Sequence, residues 1–458
     1  MSNARPSWNR LPAEIRNQVL SILPDLGCDC SLLATVSLEW QSVFEPLNFA
    51  EITSTPSRLS DASSEAILFR HRSQIRYIWY RIELQDADSP SDTQHWFKYL
   101  GFHPDTRRGE CPSVRHEQGI PIDDSGHGWV AGSQTVLPDE SAIEKIFATI
   151  LMMRPFEDAE LEVLWWDSLP TVPAISVVLL RQQTRRRWKM IPLTIMLWRF
   201  PNLQELYYEP WREWYDEIQK IKDKDYPILF ESLHVTKLSR LNIFENFNES
   251  YPQNIFGVEC SAIRVSNPAV SHELARTSLK LTTLSASFMA DASYFFEATN
   301  MNSSWKWDNL THLALTSRVL VDDQDAASTA GISDMLRGAA AAALRMPKLE
   351  TMELWTGRCG LAMLFRYQKA RGMQPAIITV RGTFDLALDP AVTKAWDAVA
   401  SRDRGGEVVC QSSLIDPRTI LSQGDAICQL GLSIEVIRPV SLQQILHEHH
   451  LRGRQTNE

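Results

Sequence analysis

The chain has 458 residues, of which 44% are apolar and 22% are charged, proportions typical of a folded globular protein. Its net charge of -10 argues against nucleic acid or an anionic membrane surface as the main partner, because both attract positively charged proteins. The sequence has no apolar run of the roughly 18–20 residues that span a bilayer and no apolar core of a signal peptide. Its seven scattered cysteines fit reduced thiols, so we expect a cytoplasmic or nuclear protein.

The first predicted elements are short amphipathic helices in residues 9–49, NRLPAEIRNQVLSILPDLGCDCSLLATVSLEWQSVFEPLNF. Pro12 suits the first turn of a helix, where its missing N–H costs nothing, and Pro24 ends that helix. Asp29 or Ser31 is a suitable N-cap for a second helix. The apolar residues of the first helix recur every four positions and predict one apolar face. They are Leu11, Ile15, Val19 and Leu23.

The order of these residues resembles an F-box. The matching pattern is Leu11-Pro12-x-Glu14-Ile15, then Val19-Leu20-x-Ile22-Leu23, then Leu32-Leu33-x-x-Val36-Ser37-x-x-Trp40. Ser37 departs from the pattern, since many family members have Cys there. The resemblance implies that a small helical domain, residues 5–50, docks on the Skp-type linker protein of a cullin-based SCF ubiquitin ligase.

The resemblance also implies which residues contact the linker. They are Leu11, Pro12, Glu14, Ile15, Leu20, Leu23, Leu33, Val36 and Trp40. A helical unit this small buries its apolar residues poorly, and exposed apolar surface commonly marks a partner site. A helical hairpin packed on its own protein is the alternative explanation of the same pattern.

A short pattern, Leu-x-x-apolar-x-apolar, recurs beyond residue 150. Its six copies begin at Leu161, Leu203, Leu238, Leu281, Leu310 and Leu349. A divergent copy begins at Ile75, and helical segments ending in proline precede several copies. This alternation predicts an irregular leucine-rich-repeat-like α/β solenoid over residues 65–370. We expect one continuous buried apolar spine made of Leu206, Leu241, Leu284, Leu313, Met352 and Leu354.

Two regions break the repeat. Residues 101–141 are rich in Gly, Pro, Asp and His, and predict a long inserted loop before a helix that begins at Ser141. Residues 371–458 predict a mixed α/β capping domain, with strands near Ile377 and Leu432 and a helix that begins at Pro390. The whole chain is therefore predicted to be α/β, with an all-α F-box, a solenoid and a cap, and resembles fungal F-box proteins of that layout.

The sequence contains no motif for phosphate binding, dinucleotide binding, serine hydrolysis or zinc proteolysis. We therefore predict no enzymatic activity, no catalytic residue, no cofactor and no metal site. A dense aromatic segment offers a candidate surface for a substrate protein, because aromatic residues dominate binding hot spots. Its predicted contact residues are Tyr208, Trp211 and Trp214, although packing between repeats explains them equally well.

Together these features predict the substrate-recognition subunit of an SCF-type E3 ubiquitin ligase. Its partners are then the Skp-type linker, the cullin and an unknown substrate protein. One alternative is a repeat-based protein-interaction scaffold that acts outside ubiquitin ligation. A second alternative is an enzyme with an unrecognised site in the insert and the C-terminal region.

Overall fold

A computed structural model describes most of the chain, in two compact units, Met1–Ser89 and Pro90–Glu458. The described residues are 8, 11–55, 58–59, 61–80, 129–130, 133–134, 149–150, 161, 164, 168–182, 187–213, 216–248, 264–321, 326–372, 374–404 and 406–455. Most of the predicted inserted loop, residues 101–141, and most of the predicted helix from Ser141 lie outside them. Within that predicted helix, Thr149–Ile150 forms a short strand instead.

The described residues of the first unit include four helices and a pair of parallel strands. They are α1 (Ala13–Ile22), α2 (Cys30–Leu33), α3 (Leu38–Ala50), α4 (Ala62–His71), β1 (Glu51–Ser54) and β2 (Tyr77–Tyr80). The side chains of Asp29 and Ser37 cap α2 and α3 by accepting bonds from backbone N–H groups. Because α3 leads directly into β1, and β1 pairs with β2, this unit extends beyond the predicted boundary at residue 50.

The second unit is built on a nine-stranded sheet in the order β15-β14-β13-β12-β11-β10-β9-β8-β6. All neighbouring strands are parallel except β13, which runs antiparallel to β12 and β14. The strands of the sheet are β6 (Val177–Leu180), β8 (Glu205–Tyr208), β9 (Arg240–Phe244), β10 (Thr283–Ser287), β11 (His312–Thr316), β12 (Thr351–Arg358), β13 (Leu361–Gln368), β14 (Ile377–Gly382) and β15 (Val409–Leu414). Two short pairs lie outside it, β3 (Trp129–Val130) with β4 (Ser133–Gln134) and β5 (Thr149–Ile150) with β7 (Arg187–Trp188).

The repeat pattern locates five of these strands. Each copy that begins at Leu203, Leu238, Leu281, Leu310 or Leu349 is followed by a strand that starts two residues later. The copy at Leu161 does not form a strand, since Leu161 and Leu164 are helical. The strand beside β8 is instead β6, which begins two residues after Ile175. Its paired valines favour a strand, but its leading residue is not leucine.

One face of the sheet is apolar and packs on a layer of helices. Consecutive helices of this layer contact each other in chain order. They are α5 (Met190–Trp198), α6 (Asp216–Leu233), α7 (Pro268–Thr277), α8 (Ala292–Met301), α9 (Ala326–Ala343) and α10 (Pro390–Arg404). The predicted apolar spine is confirmed, since all six of its residues are at most 1% exposed and belong to one core. They are Leu206, Leu241, Leu284, Leu313, Met352 and Leu354.

The opposite face is covered by the C-terminal part of the chain. Helices α11 (Gln423–Leu430) and α12 (Pro439–Gln455) lie here, joined by residues 431–438, which form neither helix nor strand. We call residues 429–441, from the end of α11 to the start of α12, the strap. Gly357 of β12 lets α11 approach closely, because a Cβ there would collide with Ala426. A second apolar core forms between this face and the C-terminal residues, among them Phe244, Trp355, Ile434 and Val436.

The strap crosses the strands one after another. Side chains of successive strands form hydrogen bonds with it. Taken from β14 to β6, the pairs are Arg381 with the Gln429 carbonyl, Arg366 with the Gly431 carbonyl, Glu353 with Ser433, Asn242 with the Glu435 carbonyl, and both Glu209 and Gln182 with Ser441. The strap therefore reaches from β14 to β6 between the last turn of α11 and the first turn of α12.

The course of the strap corrects one prediction about the C-terminal region. The segment near Leu432 is not a strand, because it runs across the sheet and bonds mainly to side chains rather than to a ladder of backbone groups. Within the predicted capping region, residues 371–458, β14 and β15 continue the sheet and α10 packs on α9. Among the described residues, no helix is both long and apolar enough to cross a membrane.

Candidate protein-docking site

Helix α1 presents a row of apolar side chains to solvent, which we call the α1 stripe. Its members are Leu11, just before the helix, and Ile15, Val19 and Ile22, each 39–52% exposed. At about 100° per residue these four positions fall within roughly 80° of one another around the helix axis. A row this regular is an apolar helix face without a covering partner among the described residues.

The opposite side of α1 packs inside the unit. Leu20, on the side away from the stripe, is fully buried. Arg16 bonds to Glu39 of α3 at 2.6 Å, and the indole N–H of Trp8 donates to the same carboxylate at 3.0 Å. The bonds from Trp8 and then Arg16 hold the pKa of Glu39 below its usual value. These contacts fix which face of α1 turns outward.

Aromatic packing and one amide bond hold the three helices of the site together. The ring of Trp40 lies between Trp8 and Phe44, with centroids 5.6 Å and 5.9 Å apart. The side-chain amide of Asn48 donates to the carbonyl of Cys30 at 3.1 Å and ties α2 to α3. The short α2 and the turn after it are thereby held, while three apolar side chains between α2 and the start of α3 stay exposed. These are Leu32, Val36 and Leu38.

The predicted linker-contacting residues divide into three groups in the structure. Leu11, Pro12, Glu14, Ile15 and Val36 are exposed. The partly buried ones are Leu23, Leu33 and Trp40, and Leu20 is buried. Leu20 is fully buried in this conformation, so its side chain is not available for direct contact with a partner. The residue-by-residue prediction also left out Val19, Ile22, Leu32 and Leu38, although helical periodicity places the first two beside Ile15.

The predicted substrate surface is not formed as expected. Tyr208 and Trp211 are only 2% and 5% exposed, and Trp214 lies outside the described residues. Tyr208 belongs to the core under the helix layer, where burial raises its pKa. The indole N–H of Trp211 donates to the carbonyl of Gln182 at 2.9 Å. The interpretation of these two side chains as an outward surface is corrected, and packing between neighbouring strands explains them.

Comparisons with known proteins bear on the second unit. A family described as a family of unknown function (DUF6546) has a model that matches residues 232–438, from the end of α6 into the strap. No F-box family model matches the chain. Neither a curated protein nor a solved structure matches it. Within the described ranges, no three His, Cys, Asp or Glu side chains are placed to hold a metal ion.

Proposed function

We propose that this protein is the substrate-recognition subunit of an SCF-type E3 ubiquitin ligase. The N-terminal unit docks on the Skp-type linker, and the second unit captures the substrate protein. The observation that carries the proposal is the α1 stripe, an exposed apolar helix face within the segment whose residue order resembles an F-box. Laying an apolar helix face into a partner's groove is a common mode of recognition.

The architecture of the second unit supports a role in protein binding. We propose that its strands and helices, stacked in chain order, form a leucine-rich-repeat-like solenoid. From β6 to β14 both faces of its sheet are covered, one by helices and one by the strap with α11 and α12. Substrate capture therefore falls to the outer surface of the helices and to the loops at the strand ends.

A pair of matched double variants tests the docking role. Leu11→Ala with Ile15→Ala removes half of the α1 stripe, from side chains that are 39% and 43% exposed. Leu59→Ala with Ile67→Ala removes equally exposed side chains, 44% and 47%, from elsewhere in the same unit. Hot-spot truncations cost on the order of 2 kcal/mol each, about thirty-fold in dissociation constant. We expect the first variant to lose the purified linker and the second to retain it.

Co-purification then separates the proposal from its alternatives. Recovery of the linker together with a cullin supports the ligase subunit. Recovery of the linker without a cullin favours a scaffold that acts outside ubiquitin ligation. Equal binding by both double variants contradicts docking through the stripe, provided that circular dichroism shows both to be folded.

A further inference from the structure

Strand β15 forms an uncovered edge of the nine-stranded sheet. It pairs with β14 on one side only, and all six of its residues, Val409–Leu414, are exposed. Val409 and Leu414 are large apolar residues with exposed fractions of 43% and 68%. No described helix or loop shields this strand, in contrast to the strands at the centre of the sheet.

The hydrogen-bond register shows which backbone groups face outward. The N–H of Val409 donates to the carbonyl of Ala376 at 2.9 Å, and the N–H of Ile415 donates to that of Gly382 at 2.7 Å. Along a strand of a parallel pair, every second residue directs both its N–H and its C=O group toward the partner strand, and the residues between direct theirs away. Cys410, Ser412 and Leu414 therefore point their N–H and C=O groups away from β14. In the part of the chain that the structure describes, nothing bonds to these outward groups.

The strand lacks the features that usually prevent edge pairing. Exposed edges are commonly protected by lysine, other charges, proline or a bulge. The sequence VCQSSL has no charged residue and no proline, and its pairing with β14 is regular over all six residues. An edge of this kind readily adds another strand.

We propose that β15 pairs with β15 of a second copy of this chain, antiparallel about a two-fold axis at Ser412. The three outward residues are symmetric about Ser412. This register therefore sets Ser412 opposite its own copy and Cys410 opposite Leu414, and all outward N–H and C=O groups bond. Any shifted register leaves outward groups unpaired. The uncharged strand also places no like charges opposite each other, although each chain carries a net charge of -10.

A second copy fits this edge better than a flexible peptide. Both faces of β15 are open, so an added peptide would gain mainly backbone bonds while losing about 1–2 kcal/mol of conformational entropy per ordered residue. The strand of a second copy is already ordered by its own β14. The inference stands apart from the proposed docking role, because β15 lies in the second unit and the α1 stripe in the first.

Charge variants of Ser412 in the full-length chain test the pairing. Ser412→Lys and Ser412→Glu each place like charges directly opposite across the two-fold axis, whereas an equimolar mixture places opposite charges there. By sedimentation velocity we expect each variant alone to dimerise at least about tenfold more weakly than the wild type, and the mixture to regain dimer. Ser413→Lys, in the neighbouring non-bonded position, serves as the control with a smaller effect.

These measurements test the pairing of β15 independently of binding to the Skp-type linker. A wild-type chain that stays monomeric over the whole concentration range overturns it. So does a dimer that the Ser412 variants leave unchanged, or a mixture that fails to regain dimer while each variant alone is monomeric. Backbone pairing is tested separately by Ser412→Pro, which removes an outward N–H and leaves the bonds to β14 in place, and it too is expected to be monomeric.

Discussion

The two faces of the nine-stranded sheet both pack on apolar layers, but the rows of residues that they present across the strands differ. On the helix side, Leu206, Leu241, Leu284, Leu313 and Met352 lie in register on adjacent strands and are all buried. On the strap side, the next residue along the same strands gives the row Tyr207, Asn242, Ser285, Ala314 and Glu353. The first row is uniformly apolar, and the second is mostly polar.

The apolar row selects a covering layer by its shape, whereas the polar row also selects it by the positions of its hydrogen-bonding groups. An apolar row stabilises whatever apolar layer fits its volume, and related side chains substitute for one another at modest cost. A buried polar row accepts only partners that satisfy its donors and acceptors. Glu353, fully buried, accepts bonds from Arg366 at 2.6 Å, from the N–H and hydroxyl of Ser433 at 2.8 Å, and from the N–H of Ile434 at 3.1 Å. The strap side therefore specifies one particular segment of chain.

The largest effect is expected at Glu353. Glu353→Ala leaves the guanidinium of Arg366 and two strap N–H groups without their acceptor, and breaking a buried pair typically costs about 3–5 kcal/mol. Glu350 also pairs with an arginine, Arg371, but these side chains are 43% and 72% exposed, so Glu350→Ala is expected to cost under about 1 kcal/mol. Urea unfolding compares the two variants. Equal losses would show that the strap face gains nothing from its buried carboxylate.

A slightly smaller loss is expected on the helix side. Leu313 is fully buried in the middle of the apolar row, so Leu313→Ala is expected to lower the free energy of unfolding by about 2–5 kcal/mol. Leu421, 52% exposed, is the control, and Leu421→Ala is expected to change stability by about 0.5 kcal/mol or less. Urea unfolding measures both. Leu313→Met, which keeps the volume, should recover most of the loss, and a failure to do so would contradict the view that this face depends on shape alone.

Much of the helix side was predictable from the sequence, and the strap side was not. The leucine pattern repeats locally, so it placed β8 to β12 and the residues of their buried row. The residues of the strap alternate between apolar and polar, as the residues of a strand do. Only its hydrogen-bond partners, which lie 80, 193 and 232 residues away in the chain, distinguish it from a strand. Long-range polar pairs leave no periodic signal in a single sequence.

The docking site shows a related limit. Periodicity predicted an apolar face on α1, and the α1 stripe lies on it. Periodicity does not say whether the same chain or a partner covers such a face. Tyr208 and Trp211 were predicted to be exposed, because the segment around them is rich in aromatic residues. In the structure Tyr208 belongs to the core and Trp211 bonds to Gln182, so both are buried. Exposure is a property of the whole fold, so local pattern alone does not determine it.

A moderate effect is expected where the strap crosses β9. The amide of Asn242, which is only 5% exposed, donates to the carbonyl of Glu435 at 2.7 Å. Asn242→Ala removes this bond and is expected to cost about 1 kcal/mol and to speed hydrogen exchange in the strap. Asn202 makes a similar bond to the carbonyl of Pro173 at 2.9 Å, but at an exposed site, and Asn202→Ala is the control. If hydrogen exchange in the strap is unchanged in Asn242→Ala, the view that hydrogen bonds from this face hold the strap in place is contradicted.

The smallest effect is a pH dependence confined to the strap side. Burial raises the pKa of Glu209, although bonds from Ser441 and the charge of Arg181 oppose the shift. A carboxyl group whose pKa is raised on folding binds its proton more tightly in the folded state, so its protonation favours folding. The contribution of Glu209 is fully present below the ordinary glutamate pKa of about 4.3 and is lost as pH rises through the folded value.

Glu209→Gln isolates this contribution, because all other titrating groups are common to both proteins. We expect the stability of the wild type relative to Glu209→Gln to rise as pH falls through that window, measured by urea unfolding at a series of pH values. Glu205 lies in β8, the strand just before Glu209, and its partly buried side chain pairs with Arg240, so Glu205→Gln controls for the loss of a nearby charge. A difference between wild type and Glu209→Gln that stays constant with pH would contradict the raised pKa, because Glu209 would then bind its proton equally well in the folded and unfolded states. The bond from the Ser441 hydroxyl at 2.6 Å would in that case offset the effect of burial, since a hydrogen bond to a carboxylate favours its charged form.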